Sequence, residues 1–328
     1  RTIQNDMLGE LNSSHLGFSS SGEEARPFYR LQTNATGIIF SNDDPCVVEG
    51  WVKRSPADLT ETPLRGGDRL VAVNGTRVEA SVDRDKFFAL PQLEKEITLR
   101  FDRKGEEYDM TLRPVSSAAL KTLLYDSWVA ENRRIVDSLS GGRVAYVYMK
   151  DMGTSSLEKF LIDMTGIALG KEALILDIRN NRGGNVHDDV IKFLSQRPYL
   201  EWQARNGKRS PQPNFAPSGG PIILMVNEQS LSDAEMTAAA FRELKLGTIV
   251  GTETYRWIIF TSSRMLVDGS STRLPAWGCY DLEGNDLEIT GVKPDIYVRT
   301  TFGDMQKGAD PQLVRAVEEA VKGIRSRQ

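Results

Sequence analysis

The sequence has few of the side chains that bind metals or form cross-links. Its 328 residues include only two histidines, His15 and His187, and two cysteines, Cys46 and Cys279. Two cysteines so far apart form neither a disulfide framework nor a metal-binding motif, and we expect two unpaired thiols. The sequence therefore predicts neither a metal centre nor a cofactor.

An excess of positive charge and long apolar runs are also missing. The formal net charge of −4 argues against a protein that binds nucleic acid through a basic face. No stretch approaches the ~18 consecutive apolar residues of a transmembrane helix, so none is predicted. Residue 1 is Arg and no signal-peptide pattern follows it, which predicts a processed form or a fragment. The length allows two or three compact domains.

Residues 30–115 have the pattern of a small, mostly β domain. The segment "CVVEGWV" is rich in β-branched and aromatic residues, and "EITLRFDR" and "EEYDMTLRP" alternate as strands around a glycine turn. Asn74-Gly75 is a strong hairpin signal. The segment "DRDKFFALPQL" predicts a short helix that Pro91 ends. Residues 1–29 predict irregular or briefly helical structure.

Residues 116–328 alternate between helices and strands. Apolar residues at helical spacing over 116–140 predict a helix that connects two domains. After it, "RVAYVYM", "ALILDIR", "PIILMVN" and "GTIVG" are apolar strands, separated by the helical segments "SLEKFLIDMTGIAL", "VHDDVIKFLSQ" and "DAEMTAAAFRELK". This alternation predicts an α/β fold with a parallel sheet covered on its faces. Residues 206–220, rich in proline and glycine, predict a polar loop at the rim of a site.

Two polar segments follow successive strands of this predicted sheet. The segment "RNNRGGN" comes after one strand, and "NEQSLSDAE" comes after the next. Ligands of such folds bind beyond the carboxyl ends of the strands. We therefore expect these two segments to meet at one edge of the sheet and to form the site.

Ser232 lies between a strand and a helix, and this position has two interpretations. The serine is either a helix N-cap that satisfies an orphan N–H or a nucleophile beside an oxyanion hole. Ser230 could equally be the cap, which would free Ser232. Gly183 and Gly184 allow the backbone to approach a ligand closely, and their N–H groups could meet that of Asp233 around an oxyanion. The alternative is a tight turn without a ligand, which needs only one glycine.

Three segments together resemble a family of proteases. "ALILDIRNNRGG", "ILMVNEQSLSDAE" and "GTIVGTETY" are similar to the core shared by tail-specific (carboxyl-terminal processing) proteases and tricorn protease. The resemblance implies a crotonase- and ClpP-like parallel-sheet core with an inserted PDZ-like domain, whose signature is "GGDRLVAVNG". It divides the chain into an N-terminal core segment (1–29), the PDZ-like domain (30–115) and the serine protease core (116–328).

The two branches of this family differ in the general base. Tail-specific proteases use a Ser–Lys pair, but the corresponding stretch here is "TETYRWII", in which Trp257 takes the place of the lysine. The tricorn branch uses a histidine that directly follows a serine near the start of the core. "MLGELNSSHLG" has Ser14 and His15 in the matching places. "MLVDGSSTRLPAWGCYD", "LEITGVKPDI" and "GADPQLVRAVE" also resemble the tricorn-type carboxyl-terminal half.

The resemblance implies a serine peptidase that acts through an acyl-enzyme. Ser232 is then the nucleophile, His15 the base, and Ser14 with Glu288 the support, in a Glu–Ser–His–Ser chain. A serine hydroxyl needs a neighbour that takes its proton, and a neutral imidazole suits that task near pH 7. His187, the rival base, is expected to lie in a helix and to have a structural role.

Two alternatives stay open. A non-catalytic peptide- or ligand-binding protein on the same fold predicts loss of the serine, histidine or glutamate, and all of these are present. A PDZ-like scaffold with an inert appendage is disfavoured by the intact "RNNRGG" and "SLSDAE" segments. Residues 255–257, Tyr-Arg-Trp, depart from the glycine-rich loop of tricorn proteases, which leaves the cleavage preference open.

The resemblance also implies partners and a compartment. The expected substrates are short peptides or the tails of unfolded proteins, and the expected assembly is a homo-oligomer. In a longer chain, β-propeller domains would precede the core. A cytoplasmic location follows from the resemblance alone, with the periplasm as the alternative if a signal peptide lies upstream.

Overall fold

The chain is divided into two compact units. A computed structural model describes residues 2–11, 13, 15–21, 31–61, 63–79, 83–213, 217 and 219–326. The larger unit comprises Arg1–Glu24 and Asn132–Gln328, and the smaller unit comprises Ala25–Glu131. The smaller unit is therefore inserted, along the chain, between two parts of the larger one.

Most helices of the described residues belong to the larger unit, and the longest of them runs across the boundary at residue 131. A short 3₁₀ helix spans Arg84–Phe87. The α-helices are α1 (Thr2–Gly9), α2 (Pro56–Leu59), α3 (Ser117–Ser140), α4 (Thr154–Thr165), α5 (His187–Ser195), α6 (Asp233–Glu243), α7 (Leu287–Thr290), α8 (Phe302–Gln306) and α9 (Pro311–Arg325).

The strands form several small sheets and one central sheet. They are β1 (Gly17–Ser19), β2 (Gln32–Thr33), β3 (Ile38–Phe40), β4 (Val48–Trp51), β5 (Arg69–Val73), β6 (Thr76–Arg77), β7 (Ala89–Leu90), β8 (Ile97–Arg103), β9 (Glu106–Leu112), β10 (Val144–Tyr148), β11 (Ala173–Asp177), β12 (Leu200–Gln203), β13 (Arg209–Gln212), β14 (Ile222–Val226), β15 (Thr248–Gly251), β16 (Ile259–Met265), β17 (Ser271–Gly278) and β18 (Ile296–Tyr297).

A five-stranded sheet is the centre of the larger unit. Its order is β10-β11-β14-β15-β18, and each neighbouring pair is parallel. Every residue of β10, β11 and β14 is buried, as expected for strands whose two faces are both covered. Phe160, Val190 and Phe241 of three helices share a core cluster with these strands, and α9 packs against β11, β14 and β15. The predicted α/β fold with a parallel sheet is confirmed.

Arg179 links the end of β11 to α9. Its guanidinium, which is almost completely buried, lies 2.8 Å from Asp177 Oδ2 and donates to Asp310 Oδ1 at 2.9 Å and to Gln312 Oε1 at 3.1 Å. Asp310 also caps α9 by accepting a hydrogen bond from the Leu313 N–H at 3.1 Å. Buried charges need such partners because an unpaired buried charge is strongly destabilising. The network fixes the loop after β11 to the C-terminal helix.

A three-stranded antiparallel sheet attaches the N-terminal segment to the C-terminal part of the larger unit. Its order is β1-β17-β16, and β1 pairs residue by residue with Ser271–Arg273 of β17. The Asn5 side chain holds α1 to the same strand, since it accepts from the Phe18 N–H at 2.8 Å and donates to the Phe18 carbonyl at 3.2 Å. This sheet determines where residues just before β1 lie.

The smaller unit is built mainly from β-strands. Strands β6-β5-β8-β9 form one sheet, and β2-β7 and β3-β4 form two-stranded sheets. Leu99, Phe101 and Met110 are completely buried in its core. Asn74 and Gly75 join β5 to β6 with φ angles of 47° and 77°, the left-handed pair that a two-residue hairpin turn requires. The predicted hairpin is therefore confirmed.

Two local predictions were only partly right. The short helix predicted up to Pro91 is limited to the 3₁₀ turn over Arg84–Phe87, because the Asp83 side chain accepts from the Asp85 N–H and the next residues pair as β7 with β2. The predicted polar loop over 206–220 contains strand β13, which pairs with β12 in an exposed hairpin. A tight turn, with Gly207 N–H donating to the Ala204 carbonyl at 2.8 Å, closes it.

Neither cysteine of the chain is in a disulfide. Cys46 lies in the core of the smaller unit, and Cys279 is half-buried in the larger unit. None of the helices in the described residues is both long enough and apolar enough to cross a membrane.

Candidate active site

The carboxyl ends of β11 and β14 bring the two predicted polar segments together. Residues 179–185 follow β11, and residues 227–232 follow β14. The Leu231 N–H donates to the Asn181 carbonyl at 3.0 Å. Because parallel neighbours end at the same edge of a sheet, both segments lie beyond that edge. The expectation that they meet there is confirmed.

Ser230 bridges the two segments. Its hydroxyl is fully buried, donates to the Ile178 carbonyl at 2.8 Å and accepts from the Asn227 N–H at 3.0 Å. The N-cap position of α6 is occupied by Ser232. The alternative in which Ser230 caps the helix is therefore wrong, since its hydroxyl is used between the strand ends.

Ser232 has a backbone conformation that is unusual for a residue with a side chain. Its φ and ψ angles are 57° and −119°, outside the ordinary regions of an L-residue. Such a conformation costs on the order of 1–3 kcal/mol and persists only where the surroundings enforce it, most often at functional sites. The sharp turn places the serine between the end of a strand and the first turn of a helix, where N–H groups lack intrahelical partners.

Gly183 and Gly184 are both required by the space around them. A Cβ atom at Gly183, where φ is +76°, would lie 2.6 Å from Ser232 Cβ and 3.1 Å from Asp233 N. A Cβ atom at Gly184 would lie 2.0 Å from the Met152 carbonyl oxygen. Gly183 therefore packs directly against the serine turn and Gly184 against the backbone of Met152, so both positions need a glycine.

One of the N–H groups predicted to bind an oxyanion already donates a hydrogen bond within the protein. The Gly183 N–H donates to Asn181 Oδ1 at 2.9 Å, so that bond must break before it can bind a substrate oxygen. Asp233 N lies beside Gly183, as the Cβ distance indicates. The oxyanion role of Gly183, Gly184 and Asp233 stays a prediction.

The Asp233 carboxylate holds the glycine segment against α6. Its Oδ2 accepts from the Val186 N–H at 2.7 Å and from the His187 N–H at 3.1 Å. Its Oδ1 lies 2.6 Å from Nδ1 of His187. This bond to Asp233 raises the pKa of His187, and burial opposes the rise. His187 begins α5 and is engaged by Asp233, which agrees with the structural role expected for it.

His15 is held in a different environment. It is half-buried, with φ of 63°, and its ring centroid lies 4.6 Å from that of Trp257. Burial lowers the pKa of His15, the charge of Arg273 lowers it further, and the charge of Glu288 opposes both. The pairing of β1 with β17 accounts for the proximity of Arg273. The imidazole is thus favoured in its neutral form, as a general base requires.

Glu288 lies in the first turn of α7 and is half-buried. Its N–H donates to Oδ1 of Asp286, the N-cap residue, at 2.9 Å. Its charge acts on His15, so the structure brings these two predicted site residues close enough for an electrostatic interaction. Ser14, the predicted intermediary, lies outside the described residues.

Glu235 is the site residue that the sequence reasoning missed. It is fully buried in the first turn of α6, and its Oε1 accepts from the Ser232 N–H at 3.1 Å. The same oxygen accepts from the Trp257 N–H at 2.8 Å, and the Trp257 ring lies against the His15 ring at an interplanar angle of 38°. The signal was present, because a serine followed three positions later by a glutamate has the spacing of a capping box.

Within the part of the chain that the structure describes, no group of three or more histidine, cysteine, aspartate or glutamate side chains is arranged to hold a metal ion. The chemistry available to this site is that of a hydroxyl, an imidazole, carboxylates and backbone N–H groups. Such a set suits nucleophilic attack on a carbonyl carbon.

The chain is similar to known peptidases. Residues 143–298 match the model of peptidase family S41. The chain is 36% identical to the putative tricorn protease homolog 2 of Streptomyces coelicolor, over 97% of this chain and 28% of that protein. It is 32% identical to tricorn protease homolog 1 of the same organism, over 83% of this chain and 25% of that protein.

The chain is also similar to a solved structure of a tricorn protease. The crystal structure of the tricorn protease matches with a TM-score of 0.80 and 25% identity, over 98% of this chain and 32% of that chain. This chain thus spans less than a third of the length of each of these proteins. It contains a peptidase family S41 domain over residues 143–298 and is similar to tricorn proteases along nearly its whole length.

Proposed function

We propose that the chain is a serine peptidase that hydrolyses peptide bonds of oligopeptides or protein tails through an acyl-enzyme. Ser232 is the nucleophile, His15 the general base, and Ser14 and Glu288 support the base. The observation that carries this proposal is the strained turn of Ser232, packed against Gly183. A turn of this kind presents a hydroxyl beside N–H groups, as an acyl-transfer site requires.

The proposed reaction follows from the groups present. As the Ser232 oxygen attacks the scissile carbonyl carbon, the His15 imidazole takes the hydroxyl proton. The imidazolium then gives that proton to the leaving amine, the C–N bond breaks, and an ester of Ser232 remains. A water molecule, deprotonated by the same imidazole, hydrolyses the ester, and the proton returns to the serine oxygen.

Charge that develops on the carbonyl oxygen needs donors. The N–H groups of Gly184 and Asp233, with that of Gly183 once it leaves Asn181, are the proposed donors. One such donor contributes about 3 kcal/mol to lowering the barrier. Glu288 stabilises the imidazolium through the Ser14 hydroxyl, and its charge already favours the protonated form of His15.

The organisation of the chain around this site is part of the proposal. Residues 1–29 and 116–328 form a crotonase- and ClpP-like protease core, and residues 30–115 form a PDZ-like domain that binds peptide tails. The small β-sheets of the smaller unit and the central parallel sheet of the larger one support this division. A homo-oligomer, β-propeller domains in a longer chain and a cytoplasmic location are proposed from the similarity to tricorn proteases alone.

Labelling with a serine-directed fluorophosphonate tests the proposal. The wild-type chain should be modified at one residue, and mass mapping should identify it as Ser232. Ser232→Ala should lose both labelling and peptidase turnover while its melting temperature stays near that of the wild type. Ser195→Ala, at an exposed serine of α5, is the matched control and should keep both. Labelling that persists in Ser232→Ala would contradict the assignment.

A further inference from the structure

Glu235 has more hydrogen-bond donors around it than a helix cap needs. Its Oε1 accepts from the N–H groups of Ser232 (3.1 Å) and Trp257 (2.8 Å). Its Oε2 accepts from the Thr254 hydroxyl (2.6 Å) and the Arg256 N–H (2.9 Å). A capping box accounts only for the bond from the Ser232 N–H. The other three bonds attach residues 254–257 to the same carboxylate.

The side chain is completely buried. Burial raises the pKa of Glu235, and the hydrogen bonds from Thr254, Trp257, Arg256 and Ser232 oppose that rise. A buried carboxylate is costly unless its lone pairs are satisfied, and removal of one partner leaves a penalty of several kcal/mol. The arrangement is therefore stable only while both segments, the serine turn and residues 254–257, stay in place around the carboxylate.

Both segments are also strained where they touch Glu235. Ser232 has φ of 57° and Arg256 has φ of 69°, and neither is a glycine. The N–H group of each donates to the carboxylate. Left-handed residues with side chains persist only when the surroundings over-determine them. The same carboxylate thus restrains two unfavourable backbone conformations on two separate parts of the chain.

The two restrained segments carry the two sides of the candidate site. One contains Ser232 itself. The other contains Trp257, whose ring centroid lies 4.6 Å from that of His15. We infer that Glu235 is a positioning residue that fixes the separation of Ser232 and His15. One of its oxygens holds the serine turn, and both hold the segment whose Trp257 ring lies against His15. The inference rests on the proposed function, since it assigns Glu235 to the machinery of that same site.

The amide isostere distinguishes this role from burial of an acidic group. In Glu235→Gln one oxygen becomes an NH₂ group, which cannot accept. If the remaining oxygen stays on Ser232 and Trp257, the NH₂ group faces the Arg256 N–H, so two donors oppose each other. The Thr254 hydroxyl already accepts from the Val292 N–H at 2.9 Å, which limits its freedom to turn. Residues 255–257 must then shift relative to the serine.

The test uses the fact that the chain has only two histidines. Histidine-labelled protein gives one set of ring NMR signals for His15 and one for His187, and His187→Gln assigns them. The Trp257 ring, whose centroid is 4.6 Å from that of His15, shifts the His15 signal through its ring current. In Glu235→Gln we expect the His15 signal to move while the His187 signal stays. We also expect kcat and the rate of fluorophosphonate labelling to fall about ten- to a hundredfold, the cost of misplacing reacting groups, with KM near the wild-type value.

Three further variants keep the inference falsifiable if Glu235→Gln folds poorly. Thr254→Val removes one of the four donors, so it should move the His15 signal and kcat in the same direction by less. Thr254→Ser restores the hydroxyl and should return both towards wild type. Val317→Ala, in the buried face of α9, destabilises the fold elsewhere and should leave the His15 signal and kcat unchanged.

The outcomes separate the inference from the proposed function. An unchanged His15 signal and labelling rate in folded Glu235→Gln overturn the inference, even if Ser232→Ala is inactive. Labelling that survives in Ser232→Ala overturns the proposed function, whatever the NMR signal shows. An equal loss of kcat in Val317→Ala would reduce the effect of Glu235 to general destabilisation and would also overturn the inference.

Discussion

The two histidines of the chain have different electrostatic surroundings. The His15 ring lies against that of Trp257 and is exposed to the charge of Arg273, so burial and that arginine lower its pKa. His187 lies 2.6 Å from the Asp233 carboxylate, which raises its pKa. Both start from a value of about 6.5, so His15 is favoured in its neutral form around neutral pH, whereas His187 keeps its proton to a higher pH than His15 does.

The contrast shows how one residue type serves two roles. A general base must be neutral before it takes a proton, and the surroundings of His15 meet that condition. A structural histidine gains stability from charge, and the Asp233 carboxylate provides the partner for it. Burial alone does not separate the two, because His15 and His187 are both half-buried; the charges beside them do.

The largest loss of activity should come from removing the imidazole ring of His15. We expect His15→Ala to lower kcat by about four orders of magnitude or more, the scale on which loss of a catalytic triad member acts. His187→Ala should change kcat much less, because it removes a contact of Asp233 rather than the base. Single-turnover peptide hydrolysis measures both. A reversal of the two losses would assign the base to His187.

Removal of the Glu288 carboxylate should cause the next largest loss of kcat. In Glu288→Gln the imidazolium that forms during catalysis loses a stabilising charge. If Glu288 acts through the Ser14 hydroxyl, as proposed, the loss should be about a hundredfold to a thousandfold in kcat, smaller than that of a directly bonded triad carboxylate. Ser14→Ala should give a similar loss, and the double variant should not multiply the two, because residues acting as a unit are non-additive.

The pH dependence of kcat/KM should respond to the charges around His15 by a smaller amount. Its acidic limb reports protonation of the base in the free enzyme and should lie below pH 6.5, because the pKa of His15 is lowered. Arg273→Gln removes a charge that lowers this pKa, so the limb should move to higher pH. Glu288→Gln removes a charge that raises it, so the limb should move to lower pH. If the acidic limb moved in the same direction in the two variants, the charges assigned to the surroundings of His15 would be contradicted.

The smallest effect should be on stability, at His187. A group whose pKa is raised by folding stabilises the protein fully below its unfolded-state pKa, near 6.5, and loses that contribution as the pH rises through the folded-state pKa. His187→Gln should therefore cost about 1.5 kcal/mol at pH ~5.5, the scale of a charged hydrogen bond. The difference should shrink in alkaline solution. Urea unfolding of both proteins across this pH range measures it.

Much of the fold was predictable because its signals are local. Runs such as "ALILDIR" and "PIILMVN" are apolar over most of their length, and both contain fully buried parallel strands. The turn at Asn74-Gly75 needs only two residues with left-handed backbones, which those residues favour. The short helix expected up to Pro91 ends earlier, at Phe87, because Ala89–Leu90 pair with β2, a partner more than 50 residues earlier that the local pattern does not reveal.

The site was only partly predictable, because only some of its signals are local. The Ser232 turn and the glycine pair follow from where strands end. Three of the four hydrogen bonds of Glu235 do not, because they come from residues 254–257, which reach the carboxylate only in the folded chain. The positive φ of Ser232 was not predicted either. The environment of His15 depends on Arg273 and Glu288, which lie more than 250 residues away in sequence. No window of sequence contains both sides of that contact.

The pairing of β1 with β17 also sets the order in which the site can be assembled during synthesis. His15 is made among the first residues of this chain, whereas Ser271–Arg273, which pair with the strand just after it, are made about 250 residues later. Closing so long a loop carries an entropic cost that only the finished sheet repays. A growing chain can therefore form the serine turn before it can seat the histidine. On a translating ribosome, the nucleophile would be present without its base until β17 has emerged, so the proposed peptidase activity begins only after most of this chain has been made.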